Sequence, residues 1–307
     1  MTLEGLFDRV LHYPDPDAQR RLAGLVGIDR IRADLIREAK TLLDPSVLER
    51  WSTTHYRVVL PVVEEVAGRT PLVVLAGDVG TGKTELAESF PDTVARDLAI
   101  DMTLYPLSLS ARGRGAVGEM TTLLTAAFEA VTDAAKGGRV NGQVRSGVVL
   151  LVDEADALAQ SRDLDQMHHE DRAGVNALIR GIDTLRARRL PVLTVMCTNR
   201  EEALDPAVLR RAARIFRFAR PDEDQRRELL VRQLEGMKLN STDLEELVKL
   251  SGPLDGRSYG WTFSDIRQRF IVQAVIDSLD RGPLRGNRLV ALAAAFVPTP
   301  PFGQSDG

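Results

Sequence analysis

The sequence predicts an α/β protein in which helices flank a parallel five-stranded sheet and a small all-helical domain follows. Three observations lead to this prediction. Short apolar runs alternate with segments of helical periodicity as far as Pro221, which is typical of a parallel sheet covered on both faces. After Pro221 the strand-like runs end and four amphipathic helix patterns follow. The length of 307 residues accommodates one large and one smaller domain.

The predicted strands are short, apolar and rich in β-branched residues. They span 71–77, 102–110, 147–153, 190–199 and 214–219. Between them lie helix-like segments at 82–90, 118–135, 171–188 and 205–213. Because ligands of parallel sheets bind beyond the carboxyl ends of the strands, the residues that follow those ends are the first candidates for a functional site.

The predicted boundaries divide the chain into four segments. A short N-terminal segment covers 1–22, and the large α/β domain covers 23–220. The helical domain covers 221–297, and a flexible tail rich in proline and glycine covers 298–307.

Composition narrows the class of protein. The net charge is −4 and the isoelectric point is near 5.7, so no global charge points to a nucleic-acid partner. No apolar run approaches the roughly 18 residues that a membrane span needs. Cys197 is the only cysteine, which excludes an intrachain disulfide and a zinc site built from cysteines. We expect a cytoplasmic protein.

A glycine-rich motif follows the first predicted strand. The residues "GDVGTGKT", Gly77–Thr84, match G-x-x-x-x-G-K-[ST] between an apolar strand and a helix. Glycines allow backbone N–H groups to close around phosphate oxygens, and the helix N-terminus adds its positive dipole end. The candidates to bind a nucleotide are therefore Gly77, Asp78, Val79, Gly80, Thr81, Gly82, Lys83, Thr84 and Glu85. Lys83 is expected to reach the β- and γ-phosphates of ATP.

An acidic segment follows the most apolar strand. Asp153, Glu154 and Asp156 come directly after the run Val148–Val152. The Asp153 carboxylate is expected beside the phosphate loop, where it and the Thr84 hydroxyl hold Mg²⁺. Glu154 is then expected to orient and deprotonate the water that attacks the γ-phosphate. An acidic turn that caps a helix would account for Asp156, but it does not explain the buried strand that precedes it.

The four letters of 153–156 also occur in DEAD-box RNA helicases. Those enzymes need a second α/β domain and a Ser-Ala-Thr motif after the acidic strand. This sequence has no such motif, and its second part is helical and short. The helicase interpretation therefore fails on architecture.

The remaining motifs resemble those of an AAA+ ATPase, a P-loop NTPase whose helical domain is a lid. "GLVGIDRIRADLIREAK" (24–40) resembles the segment in which Val26 and Gly27 pack on adenine. "VLTVMCTNREEALDPAVLRRAARIF" resembles the strand that ends in the sensor-1 residue, here Asn199, followed by the arginine-finger helix. The resemblance makes Arg211 the main finger and Arg214 its companion.

In this family the fingers enter the ATP site of a neighbouring subunit, which implies a ring, most often a homo-hexamer. A finger of this kind is worth about 10³–10⁵ in rate. A second sensor is expected in "GWTFSDIRQRF" (260–270), where Ser264 stands at the usual arginine position and Arg267 follows one turn later. A solvated helix face is the alternative role for Arg267.

Substrate-threading members of the family carry a pore loop with an aromatic residue, an apolar residue and Gly-Glu. Here "RGAVGEM" aligns with that loop, so Ala116 replaces the aromatic residue and Val117 is the apolar one. Gly118 is retained, and Met120 is a second candidate to grip a chain. A small residue gives less contact area, so weaker pulling is expected.

Residues 159–183 resemble the corresponding segment of the pachytene-checkpoint AAA+ ATPases, and "NALIRGID" resembles the end of their helix. The resemblance implies a HORMA-domain partner. Bacterial relatives disassemble a HORMA protein from a nucleotide-second-messenger synthase and so restrain anti-phage signalling. His168 and His169 suggest a metal site, but neighbouring helical side chains point apart, and a polar pore loop is the preferred interpretation.

Three alternatives remain open. The first is another protein remodeller, of the microtubule-severing or general unfolding kind. The second is a nucleic-acid loader, for which Arg112, Arg114, Arg139 and Arg145 would line a pore. The acidic isoelectric point opposes it. The third is a nucleotide-gated scaffold that scarcely turns over, which the intact motif residues oppose.

Overall fold

The computed structural model describes residues 6–109, 119–158, 168–237 and 239–303. The chain divides into two compact units. The sheet unit comprises Met1–Gly24, Arg30–Ala76 and Thr84–Arg217, and the helical unit comprises Leu25–Asp29, Gly77–Lys83 and Phe218–Gly307. Within the described residues, no helix has both the length and the apolar character needed to cross a bilayer.

Strands and helices alternate along the sheet unit, as the sequence predicted. The strands are β1 (Leu11–Tyr13), β2 (Leu72–Gly77), β3 (Asp101–Ser108), β4 (Arg139–Val140), β5 (Gln143–Val144), β6 (Ser146–Asp153), β7 (Val192–Thr198) and β8 (Arg214–Phe218). The helices are α1 (Pro16–Ala23), α2 (Asp29–Leu43), α3 (Ser46–Tyr56), α4 (Pro61–Ala67), α5 (Lys83–Leu98), α6 (Glu119–Ala134), α7 (His168–Arg188) and α8 (Pro206–Leu209).

The main sheet has the strand order β1-β3-β6-β7-β2-β8. β3, β6, β7 and β2 pair in parallel. β8 lies beside β2, where the Ala213 N–H donates to the Leu72 carbonyl oxygen at 2.8 Å. The five predicted strands are therefore confirmed, each within two residues of its predicted bounds.

A sixth strand makes the sheet mixed, which the prediction of five parallel strands had omitted. β1 pairs antiparallel with β3, with Leu11 opposite Leu104 and Tyr13 opposite Met102. Its three residues are too short for a period-2 pattern to identify them in the sequence. β1 covers an edge of β3 that would otherwise expose unpaired backbone groups.

The central strands are continuous apolar runs in the sequence because they are buried on both faces. In β6 every residue from Gly147 to Val152 is buried, and in β7 all seven residues are buried. A parallel strand covered on both faces has no solvent side, so alternation disappears. α6 and α7 pack together over one face, where Phe128 and Leu178 join the core.

The predicted helix at 205–213 is shorter in the structure. α8 begins after the N-cap Asp205, whose side chain accepts from the Ala207 N–H, and it ends at Leu209. Beyond Leu209, the Ala213 N–H donates to the Leu72 carbonyl oxygen at the edge of β2. Pairing with the sheet therefore outweighs continuation of the helix.

The helical unit contains α9 (Glu223–Gln233), α10 (Ser241–Leu250), a π-helical turn (Asp265–Phe270) that continues into α11 (Ile271–Ser278), and α12 (Gly286–Ala295). These are the four predicted helices. Asp222 and Gln225 form a capping box at the start of α9. The core is aromatic: the Trp261 ring centroid lies 4.8 Å from that of Phe270 and 4.5 Å from that of Phe296.

We expect Gly181→Ala to destabilise the sheet unit. A Cβ at this position would lie 2.3 Å from two carbons of the buried Phe128 ring. Overpacking of this kind costs about 1–3 kcal/mol, more than the roughly 1 kcal/mol of helix propensity that alanine gains over glycine. Urea unfolding followed by circular dichroism should show a lower midpoint.

Gly174→Ala on the same helix is the matched control. Its Cβ would meet the flexible Met120 side chain at 3.2 Å, which can move, so the midpoint should stay the same or rise. Equal midpoints for the two variants would contradict the close packing of α6 on α7.

Candidate nucleotide-binding site

Glycines suit the phosphate loop because all three have positive φ and because a side chain at Gly77 or Gly80 would clash with its neighbours. Gly77, Gly80 and Gly82 have φ values of +151°, +72° and +94°, which L side chains rarely adopt. A Cβ on Gly77 would lie 2.3 Å from the Phe218 carbonyl oxygen, and one on Gly80 would lie 2.7 Å from the Thr262 hydroxyl oxygen. The backbone of the loop is therefore tightly enclosed within the helical unit.

Lys83 lies at the end of this loop as a buried cation. Its side chain is 7% exposed, and Nζ donates to the carbonyl oxygens of Gly77 at 2.9 Å and Asp78 at 2.8 Å. The Thr81 hydroxyl donates to the same Asp78 carbonyl at 2.7 Å. A buried ammonium group requires oxygen partners, and the loop supplies them.

The Asp78 side chain is held from the other side. Arg220 donates from Nε to Asp78 Oδ2 at 2.7 Å. The Val79 N–H and the Phe302 N–H donate to Oδ1 at 2.8 and 3.1 Å. Val79 itself is exposed. The motif predicted Asp78, but nothing in the sequence indicated Arg220 or Phe302 as its partners.

The predicted adenine segment belongs to the helical unit. Val26 is buried in the core that includes Leu229 and Trp261. Gly27 has a φ of +75°, and a Cβ there would lie 2.5 Å from the Gln225 side chain. Gln225 Nε2 also donates to the Gly27 carbonyl oxygen at 3.2 Å. The two residues thus form a fixed turn against α9.

The predicted second sensor lies in the π-helical region. The Ser264 N–H donates to the Gly80 carbonyl oxygen at 3.1 Å. Ser264, the residue at the usual arginine position, therefore contacts the phosphate loop through its backbone. Arg267 lies one turn later in the π-helical turn and is half-buried.

In the sheet unit, the acidic strand meets the start of α5. The Thr84 hydroxyl donates to Asp153 Oδ2 at 3.1 Å. The two residues are 69 positions apart in the sequence, so the parallel sheet alone brings them together. The other carboxylate oxygen of Asp153 accepts from the Glu154 N–H at 2.9 Å.

Glu154 has a strained backbone. Its φ is +53°, in the left-handed region, and it is not a glycine. Such a conformation costs on the order of 1–3 kcal/mol and clusters at functional sites. The residue is exposed, and its carbonyl oxygen accepts from the Ala157 N–H at 2.9 Å. The turn therefore presents the Glu154 side chain directly after Asp153.

Asp156 connects the turn after β6 to the end of β7, a role that was not predicted from the sequence. It is 6% exposed, and its Oδ1 accepts from the Thr198 hydroxyl at 3.2 Å and from the Asn199 N–H at 3.3 Å. The Thr198 hydroxyl also accepts from the Arg200 N–H at 3.0 Å. An aspartate three positions after Asp153 was the only signal in the sequence.

Both candidate arginine fingers contact carboxylates of their own chain. Arg211 donates to Asp183 through two bonds of 3.1 Å and to the Ala207 carbonyl oxygen at 3.1 Å. The hydrogen bonds to Asp183 raise the pKa of Arg211 above its usual value. Arg214 pairs with Asp34 on α2, and its guanidinium carbon lies 5.0 Å from the Phe216 ring centroid.

Two other predicted residues, Glu85 and Met120, lie away from the phosphate loop's own contacts. Glu85 forms an ion pair with Arg21 at 3.2 Å. Met120 is partly buried and packs against the core beside Gly174. The pore-loop candidates Ala116, Val117 and Gly118 lie outside the described residues, as do the side chains of His168 and His169.

Each of the two motifs, taken by itself, offers groups that suit part of a magnesium nucleotide. The loop between Gly77 and Lys83 offers a buried cation and an enclosed glycine backbone. Thr84 and Asp153 offer the hydroxyl and carboxylate oxygens that Mg²⁺ accepts.

Known proteins resemble the chain along almost its whole length. Residues 73–220 match the ATPase family associated with various cellular activities (AAA). The chain is 50% identical over 302 residues to CD-NTase-associated protein 6 of Escherichia coli (strain MS 115-1), which covers 98% of this chain and 97% of that protein.

Two solved structures share the fold. A chain in the structure of the E. coli MS115-1 HORMA:CdnC:Trip13 complex has a TM-score of 0.90 and 49% identity, covering 98% of this chain and 99% of that one. The structure of Rhizobiales Trip13 has a TM-score of 0.74 and 42% identity, covering 96% and 100%. The chain therefore belongs to the AAA family of ATPases, in the pachytene-checkpoint branch that its motifs indicated.

Proposed function

We propose that this ATPase forms a ring and uses ATP hydrolysis to remodel a HORMA-domain protein. The remodelling separates that protein from a nucleotide-second-messenger synthase and thereby restrains anti-phage signalling. The observation that carries the proposal is the 49% identity, over 98% of the chain, to a chain of the HORMA:CdnC:Trip13 complex. The cytoplasmic location and the dependence on Mg²⁺ belong to the same proposal.

Residues of the phosphate loop would bind the nucleotide, and residues after β6 would promote its hydrolysis. Lys83 binds the β- and γ-phosphates, and Thr84 and Asp153 hold Mg²⁺, which neutralises phosphate charge when bound. Glu154 orients the attacking water and accepts its proton. The strained turn at Glu154 supports this role, because such strain clusters at functional sites and the Glu154 N–H is bonded to Asp153.

Asn199 would act as the sensor of the γ-phosphate, with Asp156 as its positioning residue. Asp156 fixes the backbone of Asn199 and the neighbouring Thr198 hydroxyl to the turn that carries Glu154. The buried Asp156 carboxylate therefore connects Asn199, after β7, to the turn that carries Glu154, after β6.

Arg211 and Arg214 would complete the site of an adjacent subunit, most simply in a homo-hexamer. Their intrachain partners support this role. Asp183 and Asp34 hold the two guanidinium groups at the start of β8 in the isolated chain. Ion pairs at half-exposed positions are weak. A phosphate group carries more negative charge than a carboxylate, so it can replace Asp183 and Asp34 as the partner of these two arginines.

Partial unfolding fits the pore loop better than processive threading. Ala116 and Val117 offer little contact area to a polypeptide, and Met120 packs partly into the core. We propose that the ring pulls on one end of its partner over a short distance, which is enough to change the conformation of a HORMA domain.

We expect Glu154→Gln to trap both ATP and the partner. Loss of a general base lowers kcat by about 10²–10⁴-fold, whereas phosphate binding by Lys83 is retained. A pull-down with ATP should retain the HORMA protein, and one with ADP should not. Glu246→Gln, on α10 where the Glu246 side chain is half-exposed and pairs with Lys249, is the control and should hydrolyse ATP normally. Stimulation by unfolded chains or acidic tails, but not by a HORMA protein, would instead favour the alternative remodeller.

We expect Arg211→Ala and Glu154→Gln to complement each other. Each variant alone should be inactive in ATP hydrolysis, the first by about 10³-fold or more. In mixed rings, a Glu154→Gln subunit supplies an intact finger to the intact acidic strand of its Arg211→Ala neighbour. Measured turnover should therefore reappear on mixing. Arg217→Ala, which removes an exposed arginine paired with Glu201, should stay active alone. Turnover that never reappears would contradict sites shared between subunits.

We expect Asp156→Ala to lower kcat by about tenfold or more, because a buried acceptor for two hydrogen bonds is lost. ATP affinity should change little, since the phosphate loop is untouched. Asp156→Asn retains an acceptor oxygen and should recover most of the turnover. Equal loss in the two variants would show that the hydrogen bonds to Thr198 and Asn199 are not the cause.

A further inference from the structure

The C-terminal segment was predicted as a flexible tail from 298 onward, yet its described part is held by hydrogen bonds. We name Val297–Phe302 the C-terminal strap. The Thr299 N–H donates to both carboxylate oxygens of Asp265 at 3.2 Å, and the Thr299 hydroxyl donates to Oδ1 at 2.8 Å. Arg269 donates to the Thr299 hydroxyl at 3.0 Å and to the Val297 carbonyl oxygen at 3.2 Å.

Asp265 is a fully buried anchor for the strap. Burial by itself would raise the pKa of Asp265, but hydrogen bonds from Thr262, Thr299 and Arg269 outweigh it and hold the pKa below its usual value. The carboxylate is therefore charged at neutral pH. A buried charge that accepts several hydrogen bonds fixes the groups that donate them.

From this anchor the strap reaches the phosphate loop through Arg220. Nη1 of Arg220 donates to the carbonyl oxygens of Thr299 at 2.9 Å and Gly260 at 2.7 Å. Nε of the same guanidinium donates to Asp78 Oδ2 at 2.7 Å. The Phe302 N–H donates to the other oxygen of Asp78 at 3.1 Å. The strap therefore holds Asp78 both directly and through Arg220.

Asp78 passes this constraint to the groups that face the phosphates. Its carbonyl oxygen accepts from Lys83 Nζ and from the Thr81 hydroxyl. The other half of the loop is held through the same anchor: Asp265 accepts from the Thr262 N–H at 3.0 Å, and Thr262 lies against Gly80.

The pairing of Arg220 with Asp78 also has an electrostatic consequence. A carboxylate in a phosphate-binding loop repels the phosphates, and the repulsion is strong where solvent is excluded. The side chains of Arg220 and Asp78 are 13% and 18% exposed. Arg220 thus cancels a negative charge that would otherwise oppose nucleotide binding.

We propose that the C-terminal strap is a positioning element of the phosphate loop, and that Arg220 is its positioning residue. The strap fixes Arg220 and Asp78 so that the loop is preorganised for the phosphates and free of uncompensated charge. This inference rests on the proposed role of the loop in binding ATP, and it is independent of the HORMA partner.

Arg220→Ala tests the electrostatic part in the full-length protein. The dissociation constant for ATP and the KM should rise together by about 10- to 100-fold, the size expected for losing a hydrogen-bonded charge pair. kcat should change by no more than about twofold, because the loop binds ground state and transition state alike. Adding Asp78→Asn removes the carboxylate charge that Arg220 no longer neutralises, and it should recover part of the affinity for ATP. No recovery would overturn the role assigned to Arg220.

Phe302→Pro tests the strap itself, because proline has no N–H to donate to Asp78. Phe302→Ala keeps that donor and is the matched control. ATP affinity should fall in the proline variant and stay near normal in the alanine variant, with the same thermal midpoint for both. Equal affinities for the two variants would overturn the role of the strap.

Lys83→Ala separates failure of this inference from failure of the site. If Lys83→Ala abolishes ATP binding while Arg220→Ala and Phe302→Pro bind normally, the loop is the nucleotide site and the strap inference is wrong. If Lys83→Ala binds ATP normally, the proposed site itself is wrong.

Discussion

The parallel register of β2, β7 and β6 is the constraint on which the rest of the sheet unit depends. It places Ala76 beside Thr198 and Val152 beside Met196, so the three strands end at one edge. The residues that follow those ends are the ones that meet: Thr84 with Asp153, and Asp156 with Asn199. Because the strands are buried on both faces, a one-residue slip in register would exchange the side chains packed on the two faces and disrupt the core throughout.

The phosphate loop depends on a second constraint, which is steric and electrostatic. Its glycines are enclosed by backbone and side-chain atoms of the helical unit, and Lys83 is buried among carbonyl oxygens. Arg220 and the strap hold the carboxylate at Asp78. These contacts restrict the conformations open to the loop, and a restricted loop loses less entropy when it binds a ligand.

Motif positions were predictable because their chemistry is local. The glycine-rich loop, the acidic pair after β6 and the five strands required only residue type and spacing. The antiparallel β1, the early end of α8 and the link through Asp156 were not predictable, because each depends on a partner far along the chain. Asp156 bonds to residues more than 40 positions away, and no pattern within its own segment indicates which acceptor it satisfies.

By itself the sequence determined the fold class and the order of strands and helices along the chain, and it supplied the motif residues that are predicted to bind the nucleotide. Periodicity and local motifs encode these features directly. Only the tertiary structure decided that Arg211 and Arg214 contact carboxylates of their own chain. It also decided that Thr299 is joined to Asp78 through Arg220 and that Phe302 bonds to Asp78 directly. Such contacts join residues distant in sequence, and they form because buried or half-buried charges must find partners wherever the fold brings them.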